Sequence, residues 1–256
     1  MKQITITSQI GGLLTKTEKI KKKGWIPSVA KGSGSVGRTF EDALGLRENY
    51  FEISDYEGVV EIKTKLIRED NKYKYINLFG ATPDKYLFEI KRVLRTYGYP
   101  SRKDKNLRVF NLSFSADKTI YTRKYLFRLA VDRDKKEVVL KVFDPYTSQL
   151  IDSNVSWSFD MLEEKLKRKF KYLLYIKAEK KFEHNQLFFH YVDSRFYALK
   201  NFESFLRAIE KGYVRVTFKI STYFEGVKYG RINDHGTSFD IHEDHLEDVF
   251  ELLKHN

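Results

Sequence analysis

The sequence has no cysteine, and only four prolines, two methionines and two tryptophans in 256 residues. Without cysteine there is no disulfide framework and no thiolate-held zinc site. No apolar run approaches the roughly 18 residues that would cross a bilayer. Residues 1–14 lack the charge, apolar stretch and small-residue cleavage site of a secretory leader. A soluble, cytoplasmic protein with no membrane association is therefore expected. Residues 32–37 do not end in the Gly-Lys-Ser/Thr of a nucleotide-binding loop, and no Gly-x-Ser-x-Gly nucleophile elbow is present.

Aromatic and basic residues are abundant instead. There are 20 Phe and 17 Tyr, and 41% of residues are hydrophobic. That suffices for a sizeable core in one large domain or two small lobes. Lys and Arg number 47 against 35 Asp and Glu, a net charge of +12. The excess is clumped. Residues 16–38 carry seven basic side chains against Glu18, residues 85–108 eight against Glu89 and Asp104, and residues 165–181 eight against Glu179. The rest of the chain is net acidic. Basic elements converging on a phosphate backbone give such a distribution, and so do ordinary solvated helix faces. A polyanion such as nucleic acid is the expected class of partner.

Periodicity alternates between helix and strand. A Gly/Ser stretch at residues 31–37 precedes a helix with Phe40 and Leu44 on one face and Gly45 as its stop. Strand-like segments follow at 50–54, 59–65 and 75–79, with a turn at 55–58. Leu87, Ile90, Val93, Leu94 and Tyr97 recur at helical spacing up to Gly98. Residues 107–114 alternate as a strand, and 125–131 with 137–143 read as a hairpin. Asp160, with Glu163 three residues on, reads as the N-cap of a helix carrying Leu162, Leu166 and Phe170. Residues 172–176 form a buried strand, Phe202, Phe205, Leu206 and Ile209 mark a helix, and 214–224 with 237–241 read as a last hairpin. The mixture predicts an α/β (α+β) fold.

The chemistry is concentrated in Ser54-Asp-Tyr-Glu-Gly-Val-Val-Glu-Ile-Lys63. Asp55 sits at the turn. Glu61 and Lys63 are two apart in a strand and share a face, while Ile62 points to the core. Two carboxylates and an amine on one edge suit metal-assisted phosphodiester hydrolysis. Hard oxygen ligands hold Mg²⁺, which bridges the scissile phosphate and acidifies a water. The lysine positions that water or offsets charge in the transition state. Taken alone, the triplet is a weak signal, and a solvated strand face is the commoner reading of it. Glu41 is a third carboxylate, which a helix packed beside the Glu61 strand would deliver to the same ions; its alternative is an exposed carboxylate beside Arg38. His242 and His245 lack further ligands and read as part of a solvated helix.

Residues 31–44, Lys-Gly-Ser-Gly-Ser-Val-Gly-Arg-Thr-Phe-Glu-Asp-Ala-Leu, followed by Asp55 and Glu61-Ile-Lys-Thr64, resemble the MutH-like branch of the PD-(D/E)XK nucleases. Within that branch the chain is most similar to the MvaI/BcnI family of Type II restriction endonucleases. Asp152-Ser-Asn-Val-Ser-Trp-Ser-Phe159, Phe170-Lys-Tyr-Leu173 with Ala178-Glu179, Gly226 to Gly230 and Asp234-His-Gly-Thr-Ser-Phe239 resemble its central and C-terminal blocks. The blocks keep their order over most of the chain from Gly24. The resemblance implies a mixed sheet flanked by helices, with a C-terminal DNA-recognition lobe. Residues 1–180 would be mainly catalytic and 181–256 the recognition lobe, with an approximate boundary or the two interleaved. It implies a prokaryotic, Mg²⁺-dependent nuclease of double-stranded DNA, monomeric and without a protein partner, nicking one strand and then the other at a short site. Asp55 and Glu61 would be the metal ligands, Lys63 the water-positioning lysine and Glu41 the helix glutamate of the branch. Ser54 stands where the family often has proline, and the loop from Asp55 to Glu61 is one residue longer than in MvaI-like chains.

Thr217, Lys219 and Ser221 share one face of a strand, and Phe218 and Ile220 the other. A two-stranded ribbon of this kind enters a DNA groove, where Lys or Arg binds guanine and Asp accepts from cytosine. The candidate readers are Lys219, Arg231, Asp234, His235 and Asp240. Lys228 and Thr237 serve equally well as phosphate contacts, which position without specifying. Lys219 and Asp240 stand where an MvaI-like chain would carry arginines, which leaves the recognised sequence open. His235 also fits a turn histidine satisfied by neighbours. Two other functions remain consistent with the sequence: a MutH-type mismatch-repair nickase, and a catalytically silent DNA-binding module.

Overall fold

The computed structural model describes residues 8–46, 54–67, 74–122 and 124–255. The chain divides into two compact units that interleave in sequence. The first comprises residues 1–73, 168–199 and 250–256, the second residues 74–167 and 200–249. In chain order the first unit opens with α1 (Ser8–Lys22), β1 (Trp25–Pro27), α2 (Ser35–Leu44) and β2 (Val60–Leu66). The second follows with β3 (Tyr75–Gly80), α3 (Tyr86–Tyr97), β4 (Tyr99–Pro100), β5 (Arg108–Phe114), β6 (Ile120–Tyr121), β7 (Leu126–Asp132), β8 (Glu137–Phe143), β9 (Leu150–Ser158) and α4 (Phe159–Lys169). The last turn of α4 returns the chain to the first unit for β10 (Tyr172–Glu183) and β11 (Gln186–Leu199). Next come α5 (Phe202–Glu210), β12 (Val214–Thr222), β13 (Ile232–His242) and α6 (Leu246–Val249) in the second unit, and β14 (Phe250–His255) closes the first.

The α+β class and most expected elements are present. Residue 180, the approximate boundary expected from sequence, lies inside β10 of the first unit. The strand expected at 50–54 falls, apart from Ser54, outside the described residues. Asp160 is not the cap of α4 but sits in its first turn, because the helix begins at Phe159. β10 runs seven residues beyond Ile176 and turns into β11, since its outer half carries Glu179, Lys180 and Lys181 rather than an apolar run. No helix among the described residues is long and apolar enough to cross a membrane.

The first unit is built on the β10–β11 hairpin. β2 joins β10 in parallel, with Glu61 opposite Leu173 and Lys63 opposite Tyr175. β1 and β14 pair with separate stretches of the other edge of β11. Parallel pairing favours burial on both faces, and Val60, Glu61 and Ile62 are all buried. One face is covered by α1 through Ile10, Leu13, Leu14 and Ile20, and by α2 through Val36, Phe40 and Leu44. The α2 residues recur every four positions, giving a single apolar stripe. Gly45, with φ 79°, ends α2 in the left-handed conformation that glycine adopts without strain. Gly37 lets α2 approach β2, since a Cβ there would stand 3.2 Å from Thr64 Oγ1.

The second unit contains two antiparallel sheets, β3-β13-β12-β5-β4 and β6-β7-β8-β9. They meet over aromatic rings: Phe114 on Phe127 at 5.3 Å, Phe110 on Phe127 at 6.0 Å and Trp157 edge-on to Phe239 at 5.5 Å. Trp157 Nε1–H donates to Ala81 O at 2.9 Å, so the indole is buried with its polar group satisfied. A buried ionic cluster ties α3 to β9. Arg92 donates to Glu89 and Asp152, and the Tyr97 hydroxyl donates to Asp152 Oδ2 at 2.6 Å. Burial alone would raise the Asp152 pKa, but bonds from Tyr97, the Asn154 N–H and Arg92 hold it below the usual carboxylate range.

Arg92→Met would strand two buried carboxylates and should destabilise the protein by about 3 kcal/mol in urea unfolding at neutral pH. Because Asp152 is depressed in the folded state, its contribution is complete above its unfolded pKa. It is lost as pH falls through the lower folded value. The Arg92→Met penalty should therefore shrink on acidification, and a penalty independent of pH would contradict this assignment.

Candidate active site

Strand β2 brings the acidic triplet together in the way its spacing requires. Lys63 Nζ lies 2.6 Å from Glu61 Oε1. Asp55, at the turn before the strand, accepts a bond from the Ile62 N–H on Oδ2 at 2.8 Å. That bond fixes Asp55 against the strand that carries Glu61. Ser54, where a proline was expected from the family pattern, is buried and donates to the carbonyl of Lys169 at 2.8 Å. The longer turn is accommodated by Glu57 and Gly58, at φ 51° and 67°. The Tyr56–Val60 bridge closes it, with the Tyr56 N–H donating to Val60 O at 2.9 Å.

Glu41 is delivered by α2. Its Oε1 lies 3.8 Å from where a Cβ on Gly37 would stand. Tyr191 of β11 holds the helix in place, donating to Val36 O at 2.9 Å with its ring edge-on to Phe40. Burial raises the Glu41 pKa, and the charges of Asp55 and Glu61 push it further, against opposing pulls from Lys63 and Arg38. Glu61 is only 1% exposed. Burial raises its pKa too; Lys63 and then Lys169 pull it down, and Asp55 pushes it up. The three carboxylates thus lie within electrostatic reach of one another, and the neighbouring cations offset their charge only in part.

Among the described residues no three His, Cys, Asp or Glu side chains converge closely enough to enclose a metal ion. The donor set nonetheless fits Mg²⁺. That ion keeps several waters and is held by one or two carboxylates plus substrate phosphate, not by an all-protein cage. Glu61 Oε2 is buried with no hydrogen-bond partner among the described residues. A buried, partnerless anionic oxygen beside a second carboxylate is the feature such a cation would satisfy.

The expected DNA-reading residues all lie in the second unit. Lys219 is exposed on β12 opposite Asn111 of β5. Between Phe218 and Ile220 the β12–β13 register slips, and the extra residue falls in the segment Asp234–Gly236. Gly236, at φ 85°, donates its N–H to Asp234 Oδ1 at 2.9 Å. Bulges of this type re-aim side chains, and His235 is exposed here beside Asn111 and Asn233, along a groove of about 530 Å³. Arg231 and Lys228 are exposed at the hairpin end, with Lys228 Nζ 5.3 Å from the Tyr223 ring centre. Thr237 and Asp240 are placed differently. Thr237 is 2% exposed, and Asp240, at 6%, accepts from Thr217 at 2.7 Å and Asn77 at 3.1 Å with Arg215 Nε at 3.5 Å. In this structure Asp240 braces the sheet, and its oxygens face Thr217, Asn77 and Arg215. Lys169, which touches Glu61, carried no sequence signal beyond membership of a basic clump.

A turn aspartate followed by a glutamate and a lysine on one strand of a mixed sheet is the arrangement of a nuclease of the restriction-endonuclease class. The model of the MvaI/BcnI restriction endonuclease family matches residues 14–250, and the chain belongs to that family. It is similar to the structure of restriction endonuclease MvaI in complex with its cognate DNA substrate. There the identity is 28%, the TM-score 0.83, and the coverage 97% of this chain and 98% of that one. It is also similar to MvaI in the absence of DNA, at 26% identity and TM-score 0.62, with 100% and 99% covered. A comparison with curated proteins finds no match. The protein is a restriction endonuclease, a site-specific deoxyribonuclease. Membership decides against the mismatch-repair and silent-module readings.

A carboxylate whose folded pKa is raised destabilises the fold once it ionises, so stability falls as pH rises through that value. Glu41→Gln should therefore raise the melting temperature in metal-free buffer at pH 8, by about 2–4 °C for a gain near 1 kcal/mol. The gain should fade as pH is lowered. An unchanged or lower melting temperature at pH 8 would contradict the charge-patch assignment.

Proposed function

We propose that the enzyme hydrolyses duplex DNA with Mg²⁺ held by Asp55 and Glu61, Lys63 positioning the attacking water and Glu41 completing the acidic site. The carrying observation is Glu61 Oε2, buried and without a hydrogen-bond partner among the described residues, on a carboxylate whose other oxygen is bound by Lys63 at 2.6 Å. When bound, the ion supplies a Lewis acid for the phosphate and an acidified water. The protein supplies placement. The Ile62 N–H orients Asp55, the β2–β10 pairing sets the height of Glu61, and Lys63 presents an ammonium on the same edge. That ammonium hydrogen-bonds the nucleophile and balances charge on the pentacoordinate phosphate.

The first unit carries this chemistry, and the second is assigned to reading DNA. Lys219, His235, Asp234 and Arg231 lie on or near the polar face and tip of the β12–β13 hairpin, where side chains meet base edges in a groove. Lys228 is assigned to phosphate. Thr237 and Asp240 support the bulge and sheet from within. The similarity to MvaI bound to cognate DNA supports duplex DNA as the substrate. The proposal extends to a monomer that nicks the strands in turn, in a prokaryotic cytoplasm, and sedimentation of the protein with and without DNA tests the monomer.

Plasmid cleavage with Mg²⁺ should be abolished by Glu61→Ala. Lys63→Ala should slow single-turnover cleavage by about 10²–10³-fold while leaving DNA affinity intact. Equal cutting by wild type and Glu61→Ala would remove the site, and a matching loss of affinity in Lys63→Ala would make that lysine a binding residue. Arg231→Ala should weaken or broaden binding, lowering the salt slope by about one unit if its contact is a phosphate. An unchanged affinity and site preference would make it inert surface.

A further inference from the structure

We infer that Lys169 is a second lysine of the active site, a positioning residue that holds Glu61 so that Lys63 is released for the substrate. This rests on the nuclease reading above. Glu61 Oε1 receives two ammonium groups, Lys63 at 2.6 Å and Lys169 at 3.3 Å, while Oε2 has no partner among the described residues. Lys169 is not a loosely tethered surface side chain. It is the last residue of α4, and the next residue, Phe170, is fully buried against Phe250 at 5.6 Å. Its own carbonyl accepts the Ser54 hydroxyl at 2.8 Å, one residue before Asp55. Three residues on, the Tyr172 N–H donates to Val59 O at 3.2 Å. The junction of α4 and β10 therefore touches the site twice, through a main-chain bond beside Asp55 and a side-chain bond to Glu61.

The need for a second cation follows from the task of the first. A lysine that spends its ammonium on a carboxylate is not available to a water or a phosphate. If Lys63 turned away in a site without Lys169, Glu61 would be left buried with neither oxygen compensated, a costly arrangement. With Lys169 in place, Oε1 stays bonded when Lys63 turns to the nucleophile, and Oε2 keeps its direction. Lys169 acts through Glu61, whereas Lys63 acts on the reacting atoms.

The test compares Lys169→Met, Lys169→Gln and Lys169→Arg in the full-length protein. The readouts are single-turnover cleavage with Mg²⁺, binding of the same duplex in Ca²⁺, and thermal melting. Loss of a residue that orients a ligand typically lowers activity by 10–100-fold. The Met and Gln variants should slow cleavage by about that factor with DNA affinity unchanged, and Arg should recover most of the rate. Measuring Gln beside Met separates the ammonium from the packing of its stem. Wild-type cleavage by Met and Gln overturns the inference. So does a loss of affinity equal to the loss of rate, which would make Lys169 a phosphate contact, and so does an Arg variant as slow as Met. Glu61→Ala and Lys63→Ala run in parallel. If both still cleave, the nuclease site itself is misplaced; if both are dead while Lys169→Met is normal, only the role of Lys169 falls.

Discussion

A glutamate carboxylate that is 1% exposed must be compensated, and the first unit is organised around that requirement at Glu61. Leaving such a charge unpaired in a low-dielectric interior costs several kcal/mol. Here Lys63 and Lys169 converge on one of its oxygens, and the other has no hydrogen-bond partner among the described residues. Each arm depends on a different part of the fold. Lys63 arrives because residues two apart on a strand share a face. Lys169 arrives because β2 lies parallel to β10, placing the end of α4 beside the start of β2. The turn with Asp55 is pinned to the same place by the Ile62 N–H on one side and by Ser54 on the other. Disturbing the parallel pairing would separate the lysine, the serine contact and the glutamate together.

Local pattern carried the sequence a long way. The shared face of Glu61 and Lys63, the inward Ile62, the α2 stripe of Phe40 and Leu44 with its Gly45 stop, and the alternation of β12 are properties of neighbouring residues, and each is present. What the sequence could not carry depends on distant parts of the chain. Lys169 and Ser54 are more than a hundred residues apart and meet only through the sheet. Asp240 shows the same limit from the other side. Its position in a β pattern suggested a base reader; Asn77, Arg215 and Thr217 enclose it, and all three sit on other strands. The long β10–β11 hairpin was half legible, because its outer part is exposed and charged and shows no apolar run.

The net charge of +12 takes on a more specific meaning. Burial, and after it the mutual repulsion of the acidic residues, holds Glu41 and Glu61 above their ordinary pKa values. Such a patch is unfavourable for the apo protein and favourable once a cation and a phosphate join it. Strain of this kind, relieved by the ligand, is a common mark of a functional site. The second unit shows the contrasting economy. In its interior Trp157 and the Arg92–Asp152–Tyr97 cluster have their polar groups bonded, and Lys219, Lys228, Arg231 and His235 are exposed on and near the β12–β13 hairpin.

The most direct test of the Asp55–Glu61 site is crystallographic. Crystals of the enzyme with a duplex carrying its recognition site, grown with Mn²⁺ and measured at the manganese absorption edge, would locate the ion by anomalous scattering. An anomalous peak is expected between the Asp55 carboxylate and Glu61 Oε2. A fully occupied ion elsewhere on the duplex-bound protein, with none at these carboxylates, would contradict it.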